Sequence, residues 1–276
     1  MLSNPWPKAR ALLTVHYAFM MEYRAELVLW AIATSLPLIM MGVWIPAGSS
    51  GRFGLDAVGF ARYFLAAYIV HQMSIVWVIY DFDWYIVSGR LSPYLLQPLD
   101  PAWRFLAAHV SEQGARLPFV ALIVGGFFVL YPQALWGAGG EDLWVPAPQR
   151  VLIAVVATYC AFALRFLMQY SLAMAAFWVE RAASLERLLY LPYLFLSGLL
   201  APLEVYQGTP LKDALREIAM FTPFPYLLWF PARLLAGGEV PVGKAFAVMG
   251  AWGIALWGLN RWLWRKGLGR YSAMGA

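Results

Sequence analysis

DFDWYIVSGRLSPYLLQPLDPAWR, running from Asp81 to Arg104, is the longest interruption between hydrophobic runs that is itself still rich in apolar residues. Five charged groups, Asp81, Asp83, Arg90, Asp100 and Arg104, alternate with Tyr85, Tyr94, Leu95, Leu96 and Leu99. Pro93, Pro98 and Pro101 remove backbone donors and fix φ, which forbids one continuous helix. A short, stiff, amphipathic connector of this kind lies on a membrane surface or in the groove of a partner.

The flanking sequence decides in favour of a membrane. Of 276 residues, 62% are hydrophobic, 17% aromatic and 13% charged, roughly half the charged fraction of a soluble domain. The apolar residues arrive in blocks of about 20, the length at which an α-helix crosses the hydrocarbon core. An all-α membrane protein follows, forming one transmembrane domain over residues 1–276. The net charge of +5 is spread over connectors and chain ends rather than one face, which argues against nucleic acid. One cysteine, Cys160, excludes an internal disulfide and a multi-thiolate metal site, and its apolar surroundings predict an inert thiol. The first hydrophobic run starts only near Leu27, after Lys8, Arg10, Glu22, Arg24 and Glu26, so it is expected to be retained rather than cleaved.

Outward from the connector, the pattern predicts six transmembrane helices, at residues 27–45 (with Pro37 inside), 60–80, 117–136, 151–179, 188–203 and 245–263. Within residues 1–25, Leu12, Leu13, His16, Phe19, Met20 and Tyr23 share helical spacing, as in an interfacial amphipathic helix. Ala102 to Arg116 reads as a separate amphipathic piece, and Gly125 and Gly126 predict close helix approach in the third span. Residues 137–150, with Gly139, Gly140, Pro146 and Pro148, form a connector, and 180–187 a tight turn. The fifth run carries Pro192, Gly198 and Pro202 and predicts a helix that does not simply cross. Over 204–238, Thr209 caps a helix with Pro210 at its first position, FTPFPY breaks it, and LLWFPARLLAGG makes a second, as in a re-entrant helical hairpin. The tail RWLWRKGLGR is a cationic, tryptophan-bearing anchor.

Six spans put both termini on one side. The terminal segments and the connectors after even spans hold twelve lysines and arginines against seven on the other side, so the positive-inside tendency places both termini and residues 81–104 in the cytoplasm.

Chemistry-bearing motifs are few. Gly238 to Lys244, GEVPVGK, has the spacing of a phosphate-binding loop, but Ala245 stands where a hydroxyl would hold magnesium and no strand precedes it. His16, His71 and His109 fall in different segments, without metal-ligand spacing. Asp81 and Asp83 point to different helix faces, so no carboxylate dyad forms. Arg165 follows fourteen uncharged residues, where insertion of an arginine costs about 2.5–3.5 kcal/mol. Gln169 lies one turn on, and a structural pair with Asp81, Asp83 or Glu180 is the expectation for Arg165. His71 and Gln72, midway along the second span, are expected to hydrogen-bond between helices.

GRLSPYLLQPLDP (Gly89 to Pro101), FWVERAASLERLL (Phe177 to Leu189) and FTPFPYLLWFPARLLAG (Phe221 to Gly237) together resemble the permease subunits of bacterial type 2 ATP-binding-cassette exporters, in particular six-span permeases encoded as a pair beside one ATPase. The resemblance implies a multi-pass subunit of the bacterial cytoplasmic (inner) membrane, not itself an enzyme. Its expected partners are two cytoplasmic ATPase subunits, a sister permease or second copy, and membrane lipid; ATP and magnesium sit on the ATPase, and no cofactor on this chain. It also implies that the 81–104 loop carries a coupling helix, with Gly89, Arg90, Leu91, Pro93, Tyr94, Leu95, Gln97, Pro98, Leu99 and Asp100 against the ATPase and Glu180, Arg181, Glu186 and Arg187 as a second contact. Tyr94 and Leu95 are the expected docking knobs, and the 204–238 hairpin is expected outside. Two other classes compete: a membrane enzyme acting on lipid-linked substrates, which would need convergent acid, base or metal groups, and a non-transporting scaffold.

Overall fold

Side-chain caps set the starts of the helices that frame the molecule. The computed structural model describes residues 5–136 and 143–274; the glycines expected to turn the chain at 139 and 140 lie outside them. The helices are α1 (Pro5–Glu22), α2 (Arg24–Ala33), α3 (Leu36–Gly48), α4 (Ala57–Ser74), α5 (Val78–Val87), α6 (Leu91–Leu95), α7 (Pro101–Leu130), α8 (Gln133–Trp136), α9 (Pro148–Ala173), α10 (Glu186–Leu196), α11 (Pro210–Phe221), α12 (Phe224–Leu227), α13 (Trp229–Leu235) and α14 (Val242–Met274). Asp56 caps α4 by accepting from the Gly59 N–H at 2.8 Å. Asp100 caps α7 through the Ala102 N–H at 2.9 Å, with Pro101 at the first helical position. Thr209 starts α11 with Pro210 as the sequence pattern predicts.

Among the described residues the chain is helical throughout, and five segments are long and apolar enough to cross a membrane: Arg24–Gly48, Ala57–Val87, Pro101–Leu130, Pro148–Phe177 and Val242–Tyr271. The fifth predicted run is not one of them. Residues 188–203 yield α10, whose 11 residues span about 16 Å at 1.5 Å each, half the hydrocarbon thickness. It stops at Ser197–Gly198, where Gly198 takes φ +88° and packs against the Tyr63 hydroxyl and Trp229. The chain continues toward α3, where the Trp44 indole donates to the Leu200 carbonyl at 2.7 Å.

Other boundaries also move. The first span breaks at Thr34–Ser35, and Pro37 begins α3 instead of lying within a helix. The second breaks at Ile75–Trp77 and resumes as α5, so Asp81 to Val87 are helical and the true connector is Ser88 to Asp100. Ala102–Arg116 is no separate piece: α7 runs unbroken through Pro118. A Cβ added at Gly125 or Gly126 meets nothing within 4 Å, so these glycines mark no close helix crossing here.

Two cores result. One gathers Phe60, Tyr63, Phe64, Leu199, Trp229 and Phe230 between α4, α9 and α13. Glu204 fastens it from the loop side, pairing with Arg233 at 2.8 Å and accepting from the Trp229 indole at 3.1 Å. The other gathers Phe82, Leu91, Phe105, Tyr170 and Phe177 at the opposite end, beneath the connector. α1 and the last turns of α14 sit at that second end: the Tyr271 hydroxyl lies 2.9 Å from Ser92 Oγ, and Lys8 and Leu12 line a pocket with Leu99 and Trp103.

Candidate functional site

Between α5 and α7, thirteen residues make a folded cap. Gly89, at φ +68°, turns the chain off α5, a conformation that costs a β-carbon-bearing residue energy. α6 then points Leu91 fully inward to Phe82 and its neighbours. Tyr94 lies against Tyr85, ring centroids 5.1 Å apart, and carries the Arg104 guanidinium over its face at 4.5 Å. Arg104 also donates to Gln97 Oε1 at 2.6 Å, and Arg90 sits 4.5 Å over the Trp84 ring. Asp100 pairs with Arg261 of α14 at 3.0 Å. These contacts tie the cap to three helices, leaving Pro93, Gln97, Pro98 and above all Leu96, 88% exposed, at its tip.

The cap thus divides the residues singled out by sequence. Gly89, Arg90, Pro93, Gln97 and Pro98 face outward; Leu91 is buried in this chain's own core; Tyr94, Leu95, Leu99 and Asp100 are half-buried and position the cap. Leu96, the one large apolar side chain it presents to solvent, directly follows the two expected knobs, Tyr94 and Leu95, and was not among the expected contacts. α6 is too short for periodicity to separate the inner face from the outer.

The second connector packs beside the first. Asp83 accepts from the Ala182 N–H at 3.0 Å, and Tyr80 donates to Glu186 Oε2 at 3.1 Å. Arg181 takes φ +58°, the positive-φ residue other than glycine among the described residues, and is exposed together with Glu180 and Arg187. Phe177 contacts Phe82, Trp264 and Tyr271, joining both connectors to α14. From α1, His16 joins Asp81, Tyr94 and Arg104 around an adjacent cleft. Burial pushes the His16 imidazole below its ordinary pKa, and Arg104 and His109 push the same way.

Beneath the cap, the break in the second span exposes backbone groups that apolar surroundings cannot satisfy. One face of α7 supplies the partners. His109 Nε2 accepts from the Trp77 N–H at 2.8 Å, and its Nδ1 bonds the Phe105 carbonyl at 2.7 Å. Gln113 donates to the Met73 carbonyl at 2.7 Å and Arg116 to the Gln72 carbonyl at 3.2 Å. Arg116, 1% exposed, also bonds Gln72 Oε1 and pairs with Glu112. Gln72 reaches on to Thr34 Oγ1 at 2.7 Å and the Ala31 carbonyl at 3.1 Å, the interhelical role expected of it.

Arg165 does not make the expected ion pair. It is 8% exposed, yet its guanidinium lies 4.4 Å over the Tyr193 ring, and no acid lies within bridging distance among the described residues. Asp81, Asp83 and Glu180 sit near the connector end, while Arg165 is more than two helical turns deeper than the end of α9. The Tyr193 hydroxyl meets His71 Nδ1 at 2.8 Å, and Gln169 lines the same small void. The structure therefore joins Arg165, Gln169 and His71 through α10, and separates them from Gln72.

Among the described residues no group of histidine, cysteine and carboxylate side chains is placed to hold a metal. Gly238 to Lys244 joins α13 to the first turn of α14, without a preceding strand. The sequence profile of the family described as ABC-2 family transporter protein matches residues 55–275. No match was found among curated proteins or among solved structures.

Proposed function

The chain belongs to the ABC-2 family of transporter proteins, and from that premise we propose that it is the membrane-spanning half of an ATP-driven exporter in which Ser88 to Asp100 docks on a separate cytoplasmic ATPase. The observation carrying this reading is the cap: stiffened by prolines, fastened from within by Leu91 and Tyr94, and offering Leu96 to an apolar groove. A force-transmitting element needs that division, because a tip that is also part of the core cannot move without the helices beneath it. Arg90 and Gln97 flank Leu96 as the polar rim of such a contact. Exposed Glu180, Arg181 and Arg187 form the smaller neighbouring contact.

Six crossings complete the topology, the fifth being composite: α10 and residues 197–209 together carry the chain across, and α11 to α13 return as an outer hairpin. Both termini then lie in the cytoplasm with α1 along the interface. Arg116 leaves the charge count, being a buried structural group, and eleven against seven still favours this orientation. Two such chains, identical or sister, would enclose the pathway, with ATP and magnesium on the two ATPase subunits, in a bacterial inner membrane.

The test is Leu96→Glu in membranes of the native cell. ATP-dependent export and recovery of an ATP-hydrolysing subunit with the tagged chain should both fall at least tenfold, with membrane insertion unchanged. Full retention of both removes the docking assignment.

A further inference from the structure

α1, α2, α5 and α7 enclose a cleft of about 630 Å³ at the connector end of the molecule, within the size range of sites that accept drug-sized ligands. Its walls combine two features. Trp30 and Trp77 lie 5.2 Å apart between ring centroids, and Tyr80 follows Trp77 at 6.5 Å, making one continuous aromatic wall. Three carboxylates, Glu26, Asp81 and Glu112, share the lining with this wall, and no lysine or arginine lines the cleft.

The charges do not cancel within the chain. Glu112 is neutralised by Arg116, but Glu26 and Asp81 form no ion pair among the described residues. His109 has both ring nitrogens engaged, one as acceptor from the Trp77 N–H and the other against the Phe105 carbonyl. Two unpaired carboxylates, both reached by solvent, thus stand beside an aromatic surface.

That combination selects its ligand. An anion would be repelled, and a neutral sugar could hydrogen-bond the carboxylates but would leave their charge uncompensated. A bare divalent metal requires several oxygens converging at about 2.0–2.6 Å, which the acids here do not provide. A cation whose charge is buried in an apolar body satisfies both walls: its charge faces the carboxylates and aromatic quadrupoles, and its body lies against indole and phenol. We propose that this cleft binds a lipophilic organic cation. The site is built within one chain and does not depend on docking to an ATPase.

Equilibrium binding of radiolabelled tetraphenylphosphonium to the purified full chain in phosphatidylglycerol nanodiscs tests it, with tetraphenylborate as the anion of matching shape. The phosphonium should bind and the borate should not. Glu26→Gln with Asp81→Asn together should weaken binding at least tenfold, and Trp30→Leu about fivefold, while Glu26→Asp with Asp81→Glu, which keeps both charges, should stay within threefold of the parent. Equal binding of the borate, or charge-removing variants within twofold of the parent, would overturn the proposal. Nanodiscs containing phosphatidylethanolamine separate two sources of the same chemistry: displacement of the probe assigns the cleft to the ammonium headgroup of a lipid, and undiminished binding assigns it to a soluble amphiphilic cation.

Discussion

Arg116 and Arg165 show how differently one residue type is housed in the same bundle. Arg116 bonds Gln72 and pairs with Glu112 at 1% exposure; removing one partner of a buried pair strands the other, at a cost of about 3–5 kcal/mol. Arg116→Leu should therefore lower the thermal unfolding temperature of the detergent-solubilised chain by several degrees, and adding Glu112→Gln should recover part of the loss, a non-additivity that a thermal melt of the two variants detects. Arg165 rests on an aromatic face, an interaction of about 0.5–2 kcal/mol, so Arg165→Met should cost less in the same measurement. The sequence pointed to Arg165 and passed over Arg116. Fourteen uncharged residues before Arg165 made it conspicuous, whereas Arg116, between Gly114 and Pro118, read as a connector charge. Only the break at Ile75–Trp77, which no glycine or proline announces, explains why α7 carries His109, Gln113 and Arg116 on one face.

At the level of elements, local chemistry told most where a cap or turn is written in side chains. Thr209 before Pro210 announced α11, and Pro192, Gly198 and Pro202 announced that the fifth run stops short; Asp100 before Pro101 carries the same cap signal for α7, which the expectation of a separate piece from Ala102 passed over. What spacing alone suggested was less secure, since Pro118 does not end α7 and Gly125 and Gly126 approach no neighbour. The base of the cap is held by a contact that sequence cannot reveal: Gly267 of α14 lies flat against the Phe177 ring, where a Cβ would overlap it. Gly267→Val should displace Phe177 from Phe82 and Tyr271 and raise hydrogen exchange across residues 174–185 at least tenfold, with α13 unaffected. α1 offers a pH test. His16 faces Arg104 of α7 and Asp81 of α5 across their shared cleft, with His109 of α7 acting on it from beyond, and its lowered pKa means that docked α1 resists protonation. The linked stability is present above the ordinary imidazole value and is lost as the pH falls below it. Protection of α1 amides, corrected for intrinsic exchange rates, should thus fall between pH 7.5 and pH 5.5 and change less in His16→Gln.

For the whole molecule, the division into two cores matters most. The core under the connector joins α5, α7, α9 and α14 through Phe82, Phe105, Tyr170 and Trp264, and the core at the other end joins α4, α9 and α13. α9 belongs to both, so a push on the cap reaches the far end through a rigid helix rather than through a loop. The central claim is that Leu96 at the tip of that cap is covered by a peripheral ATPase. Cys160 lies half-buried within α9, which allows a single reporting thiol: Leu96→Cys in a Cys160→Ala background, labelled with a membrane-impermeant maleimide in inside-out membranes of the native cell, before and after urea removes peripheral proteins. Labelling of the introduced thiol should accelerate at least tenfold on stripping, while a thiol introduced at exposed Gly208, at the opposite end of the fold, stays unlabelled throughout. An unchanged rate at position 96 would contradict the account.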